Sequence, residues 1–221
     1  MRPKDAATLI ILDRSGPDPK VLLGRRHAGH AFMPGKFVFP GGRVEAADAL
    51  MPSATELDPQ AAAKLMQGAS ARKARALALA AVRETFEETG LMLGMKRAPG
   101  PNAPGGLWSA FADAGIHPDL AALHFVARAV TPPGLSRRFD TRFFAVDAQA
   151  IVHRVDGIVG PQAELVELLW IPIVETKDLG LHAITAAILE ELEARTAAGM
   201  GHGLPVPYYR TKNRRFMREL L

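Results

Sequence analysis

Arg83-Glu84-Thr85-Phe86-Glu87-Glu88-Thr89-Gly90-Leu91 (RETFEETGL, residues 83–91) decides how this chain is read. From Ala71 to Thr89 no glycine or proline intervenes, and Ala, Leu, Arg and Glu dominate, which predicts a helix stopped by Gly90. Glu84 and Glu88 stand at i, i+4 and share one face, with Glu87 beside them. Like charges so spaced cost about 0.2–0.5 kcal/mol per pair. The negative end of the helix dipole adds to that cost. Arg83 can pair with Glu87, but one cation does not offset three carboxylates. A helix built for stability alone would end in Lys or Arg. A divalent cation converts the repulsion into coordination, and hard carboxylate oxygens favour Mg²⁺ or Mn²⁺. The plain alternative is an acidic helix end facing solvent. On the same helix, Leu79, Val82 and Phe86 form an apolar stripe that can hold it against a sheet.

Upstream, Thr8–Leu12 and Lys20–Gly24 read as a strand pair around the turn at residues 15–19, and Lys36–Phe39 as a third strand ending at Pro40-Gly41-Gly42. Arg25–Gly35 reads as a polar loop, and Ala98–Gly106 as a surface loop. A local helix fits between Pro59 and Gln67, and a helical turn fits Trp108–Asp113. Downstream, His124–Val130, Thr141–Val146 and Leu165–Ile171 read as strands. His182–Ala198 carries Ile184, Ile188, Leu189 and Leu192 at helical spacing. Strands, a long helix, more strands and a last helix predict an α/β fold with a mixed sheet between helices. Nothing separates two domains, so residues 1–221 are expected to form one.

The 221 residues are 48% hydrophobic and 23% charged, an ordinary balance for a chain that buries a core. The absence of cysteine excludes disulfides and thiolate metal sites, leaving carboxylates, His, carbonyls and water as ligands. A net charge of +4 suits an anionic small molecule and is too mild to argue for nucleic acid. No apolar run approaches the roughly 18 residues of a membrane span. A cytoplasmic location fits the cysteine-free composition.

The helix end and the Gly41-Gly42 turn together resemble the Nudix box of diphosphate hydrolases, G-x5-E-x7-R-E-U-x-E-E-x-G-U, where U is a bulky apolar residue. Residues 83–91 match the second half, with Thr85 in place of the first apolar residue. The first half starts at Gly42, and Asp48 stands where Glu is expected. Residues 49–82 then separate Asp48 from Arg83 where the pattern has seven, so about 27 are extra. Long loops close at little added entropic cost, so such an insertion is tolerable. The insertion raises the question of whether the segment 49–75 covers the cleft and selects the substrate.

Leu22-Leu23-Gly24-Arg25-Arg26, followed by Gly35 to Gly42, is similar to the signature of Nudix coenzyme A diphosphatases, L-L-T-x-R-[S/A]-x3-R-x3-G-x3-F-P-G-G. Gly24, His27 and Ala31 depart from it. The surrounding residues look more like the peroxisomal branch, whose box is also interrupted. The stretches 139–144 and 164–170 likewise resemble that branch, although the final residues lack its Ser-Lys-Leu address.

This resemblance implies a Nudix fold and Mg²⁺- or Mn²⁺-dependent cleavage of coenzyme A or acyl-coenzyme A to 3′,5′-ADP and (acyl-)phosphopantetheine. It implies Glu84 and Glu88 as main metal ligands, Glu87 as a further ligand directly or through water, and Arg83 as the residue that orients Glu87, where an ordinary helix ion pair is an equal alternative. Gly41 and Gly42 can offer a backbone carbonyl, and Arg25 and Arg26 can bind an adenine-nucleotide phosphate or equally belong to a solvated loop. Glu164 is the candidate general base, with Glu167 as a second choice whose alternation with apolar neighbours favours a solvent-facing position instead. ADP-ribose, a dinucleotide or a nucleoside triphosphate is the rival substrate. A non-catalytic nucleotide sensor is disfavoured because all three box glutamates remain, and an isoprenoid diphosphate isomerase because cysteine is absent. His27 and His30 read as loop polarity rather than a metal pair. The basic tail, residues 199–221, reads as a docked or frayed terminus, and a homodimer is compatible with the sequence.

Overall fold

The computed structural model describes residues 2–29, 33–213 and 215–221. In chain order its elements are strands β1 (Lys4–Asp13), β2 (Lys20–Arg26), β3 (Phe37–Val38) and β4 (Gly41–Arg43), then helices α1 (Pro59–Leu65) and α2 (Ala71–Thr89). There follow β5 (Leu91–Leu93), β6 (Met95–Lys96), α3 (Trp108–Asp113), β7 (Ile116–His117), β8 (His124–Val130), β9 (Phe139–Asp147) and β10 (Ile151–Arg154). The chain ends with β11 (Leu165–Pro172), α4 (Ala183–Ala197), β12 (Pro207–Lys212) and β13 (Arg215–Leu220).

Strand β1 alternates its side chains between two cores, as a period of two requires. Ala7, Leu9 and Ile11 pack with α1, α2 and α3 on one face, through residues such as Leu65, Leu79 and Phe111. Ile10 and Leu12 face the opposite way, toward Ile188, Leu189 and Leu192 of α4. The fold is therefore a large mixed sheet with helices on both faces, as the element order predicts. Its order among the described residues is β11-β2-β1-β9-β8-β12-β13, with β3 on β2 and β4 on β1. The β1–β9 pair is parallel, whereas β1–β2 and β8–β9 are antiparallel. Each fully buried Leu or Ile of β1 contributes about 1.5–3 kcal/mol.

The feature that positions the site is a fork in this sheet. Strand β1 pairs with β2 only at its far end, Leu12↔Val21 and Asp13↔Lys20. Its near half pairs instead with β4, Ala7↔Gly42 and Thr8↔Gly41, while β3 pairs with β2. The segment holding Pro40-Gly41-Gly42 is thus wedged between β1 and β2, beneath α2.

Helix α2 has the boundaries its sequence predicts. The Ser70 hydroxyl accepts a hydrogen bond from Lys73 N–H at 3.2 Å and caps the start. At the stop Gly90 takes a left-handed φ of 74°, and its N–H donates to Phe86 O at 2.8 Å. The burial of α2 exceeds a single stripe: Leu77, Ala78, Ala80, Ala81 and Val82 are all fully covered. Thr85, the polar departure from the motif, is also buried, and its hydroxyl donates to Ala81 O at 2.8 Å.

The structure differs from the sequence reading in three places. The 49–75 segment is no simple flap over a cleft: Ala71–Arg75 form the first turn of α2, and Met51, Ala61 and Leu65 sit in the core beneath it. The C-terminal residues are neither frayed nor merely docked, since residues 207–212 and 215–220 extend the main sheet as the antiparallel pair β12–β13, with β12 running parallel to β8. The polar, mostly basic run at 210–215 interrupts the apolar alternation that marks a strand, and so hid both. Short strands β5, β6, β7 and β10 also went unread, because two- to four-residue strands carry no periodicity.

Candidate active site

Arg83 is the hub of the site and is 2% exposed. Its Nε donates to Asp48 Oδ1 at 2.8 Å and its Nη2 to Arg43 O at 2.8 Å. Nη1 reaches Glu87 Oε2 at 3.0 Å, and Nη2 lies 3.0 Å from Glu84 Oε1. Burial alone would lower the Arg83 pKa, but Asp48 and Glu84 prevail and hold it further above its ordinary value. Asp48 is fully buried, and it also accepts from Trp108 Nε1 at 3.1 Å and from Glu45 N–H at 2.8 Å. Every lone pair the geometry exposes on Asp48 is therefore used, as a buried carboxylate requires.

The three motif glutamates part company. Glu87 is 47% exposed at its side chain and tied to Arg83. Glu84 is 13% exposed, and burial pushes its carboxyl up to about 7, against the pull of Arg83 and with the help of Glu87. Glu88 is buried, and its carboxyl stands well above the ordinary range through burial and the charge of Glu164. Gly42 lies so close to Glu84 that a Cβ there would strike the carboxylate. Next to it, Gly41 N–H donates to Glu88 Oε2 at 3.2 Å. The wedge between β1 and β2 therefore carries one glycine for each of Glu84 and Glu88.

Arg26, at the end of β2, pairs with Glu164 at 2.9 Å and is 8% exposed as a residue. The positive charge of Arg26 and the negative charge of Glu164 both act on Glu88, which places them on the Glu88 side of the site. Arg25 turns away to an exposed pair with Glu167 at 2.8 Å, so Glu167 faces solvent. His27 Nδ1 accepts from Gly29 N–H at 3.0 Å, a loop contact, while His30 and Ala31 lie outside the described residues, as does Arg214 of the basic tail.

Arg83, Glu84, Glu88, Gly41, Gly42, Arg26 and Glu164 are thus neighbours, and Glu87 sits at the rim. Among the described residues no group of three or more His, Asp or Glu side chains is arranged to hold a metal ion. The donor chemistry nevertheless fits a divalent cation. Two carboxylates with raised pKa values, one buried and one partly buried, face one backbone wedge, and a hard cation favours their charged forms. Sequence reasoning placed Asp48 in the motif without assigning it this buried role, and missed Trp108, which carries no local signal because its partner is remote in sequence.

A solved Nudix hydrolase from Alicyclobacillus acidocaldarius is 31% identical to this chain, with 88% of this chain and 92% of that chain covered and a TM-score of 0.63. A Listeria monocytogenes structure described as a Nudix hydrolase has the same fold at 14% identity, with 88% and 95% covered and a TM-score of 0.50. No family model and no curated protein matches the chain. The chain belongs to the Nudix hydrolases, as likeness over nearly the full length of the Alicyclobacillus enzyme shows.

Proposed function

We propose that this Nudix hydrolase cleaves the diphosphate linkage of a nucleoside diphosphate derivative of the coenzyme A class, with Mg²⁺ or Mn²⁺ as cofactor. The products would be 3′,5′-ADP and (acyl-)phosphopantetheine. The observation that carries the hydrolytic reading is the pair of carboxylates, buried Glu88 and partly buried Glu84, held on a rigid helix against Gly41-Gly42. The coenzyme A class is supported by the partial likeness of residues 22–26 and 35–42 to its signature, and of 139–144 and 164–170 to its peroxisomal branch.

Glu84 and Glu88 would hold the cation, with a carbonyl of Gly41 or Gly42 and, through water, Glu87 completing its surroundings. When bound, the cation neutralises diphosphate charge and acidifies a coordinated water. Arg83 stays locked to Asp48 and fixes the rotamers of Glu84 and Glu87, so the carboxylates are preorganised. Arg26 would bind a phosphate oxygen. Glu164, whose partner is Arg26, would accept the proton of the attacking water at a carboxylate oxygen. Water adds to one phosphorus, and the second phosphate leaves with the bridging oxygen.

A panel of coenzyme A, acyl-coenzyme A, ADP-ribose, dinucleotides and nucleoside triphosphates with Mg²⁺ or Mn²⁺ tests the substrate class. Release of 3′,5′-ADP from coenzyme A as the fastest reaction supports it. ADP-ribose turnover far above coenzyme A turnover would remove that class and leave the hydrolase.

A further inference from the structure

The main sheet has two edges, and they are built differently. Strand β11 ends in Pro172 and carries a register irregularity between Leu165 and Glu167. Proline and a bulge both discourage a second chain from pairing there. Strand β13 has neither: all six of its residues pair with β12 in unbroken register, Leu220↔Pro207 to Arg215↔Lys212. Among the described residues nothing pairs with its outer side. Phe216 is 62% exposed and Leu220 58%.

The backbone alternation determines which groups reach that edge. Leu221 N–H donates inward to Val206 O at 2.9 Å. Glu219, Met217 and Arg215 therefore also turn their N–H and C=O groups toward β12, and Phe216, Arg218 and Leu220 turn theirs outward. Side chains alternate as well. Phe216 and Arg218 lie on the α4 face, against Tyr209 and Glu191, whereas Glu219 lies on the opposite face with Arg210. Arg215 and Met217 share the Glu219 face.

We propose that β13 is a homodimer edge, at which two copies pair β13 antiparallel across a two-fold axis through Met217. In this register Arg215 stands opposite Glu219 of the second copy, twice over, and Met217 opposite its own equivalent. On the other face Phe216 stands opposite Arg218, again twice. The outward N–H and C=O groups of Phe216 and Arg218 bond each other across the axis. Shifting the axis to Arg218 would set two like guanidinium groups directly opposite, which is destabilising. Charge thus selects both the occupant, a second copy of this strand, and its register. The sheets of the two subunits become one.

The absence of native cysteine gives a direct test. Met217→Cys places two thiols in a non-hydrogen-bonded pair about 4.5 Å apart at Cα, within disulfide range. Diamide oxidation should convert most of this variant to covalent dimer. Arg215→Cys should not cross-link, since its two copies lie about four residues apart along the strands, roughly 13 Å. Sedimentation of the unmodified chain should show a reversible dimer at tens of micromolar. Arg215→Glu should raise its dissociation constant at least tenfold at unchanged melting temperature. A monomer at every concentration would overturn the proposal. So would cross-linking through Arg218→Cys in preference to Met217→Cys, or a dimer indifferent to Arg215→Glu.

Discussion

Asp48 and Arg83 form a fully buried ion pair, 2.8 Å from Oδ1 to Nε, although 35 positions separate them. The contact closes the excursion between the glycine wedge and the helix, and it holds the arginine that in turn holds Glu84 and Glu87. Removing the carboxylate leaves a buried guanidinium without its main partner. Asp48→Ala should therefore cost about 3–5 kcal/mol in chemical denaturation, the usual penalty for breaking a buried pair from one side. Turnover of the folded fraction should fall as well, because Arg83 is released. An unchanged denaturation midpoint would contradict the buried pairing.

Glu84 and Glu88 should behave oppositely in stability and in activity. Burial disfavours their charged forms, so neutral Gln at either position relieves a cost in the metal-free protein. Glu84→Gln and Glu88→Gln should leave the melting temperature at pH 8 equal or higher. Turnover should drop at least about a hundredfold, the scale set by loss of one key electrostatic group. Full Mg²⁺-dependent turnover in both variants would sink the ligand assignment.

His124 should make the fold sensitive to acid. Its ring stacks on His202 with centroids 4.2 Å apart, and its Nδ1 is buried without a partner. Burial, then the charge of His202, lowers its pKa from 6.5 to about 4. Between those values the unfolded chain binds the extra proton, so stability is complete above pH 6.5 and declines as pH falls toward 4. The loss should be on the order of 2 kcal/mol in urea titrations. His124→Phe should flatten that slope. An identical slope in the variant would place the acid sensitivity elsewhere.

The excursion before α2 should prove to be part of the core. Leu65 is 2% exposed and packs with α2 in the larger core cluster. Leu65→Ala should cost about 2–5 kcal/mol. Lys64 Nζ, beside it, donates to His202 O at 2.7 Å and to Leu204 O, linking the excursion to the segment that leads into β12. A cost under half a kcal/mol would restore the picture of a detachable flap.

The legible parts of this chain were those where a local pattern has one physical meaning. Ala71–Thr89 had to be a helix, and Gly90 had to end it. The strands at 124–130 and 165–171 announced themselves by apolar runs. The site was legible as far as charge spacing reaches: three glutamates on a helix end, and a glycine pair after a strand. Their separation was not, because burial is a property of the packed sheet. Glu87 and Glu88 are adjacent in sequence, yet one side chain is half in solvent and the other is covered. The bond from Trp108 to Asp48 was invisible for the same reason.

The most direct test is the initial rate of coenzyme A diphosphate cleavage, followed by ³¹P NMR while Mg²⁺ is titrated, in the unmodified chain and in Glu88→Gln. A rate that rises from zero to saturation with Mg²⁺ in the former, and stays near baseline in the latter, is the expected result. Cleavage that proceeds without a divalent cation, or at equal rates in the two proteins, would contradict a metal-dependent hydrolase centred on Glu84 and Glu88.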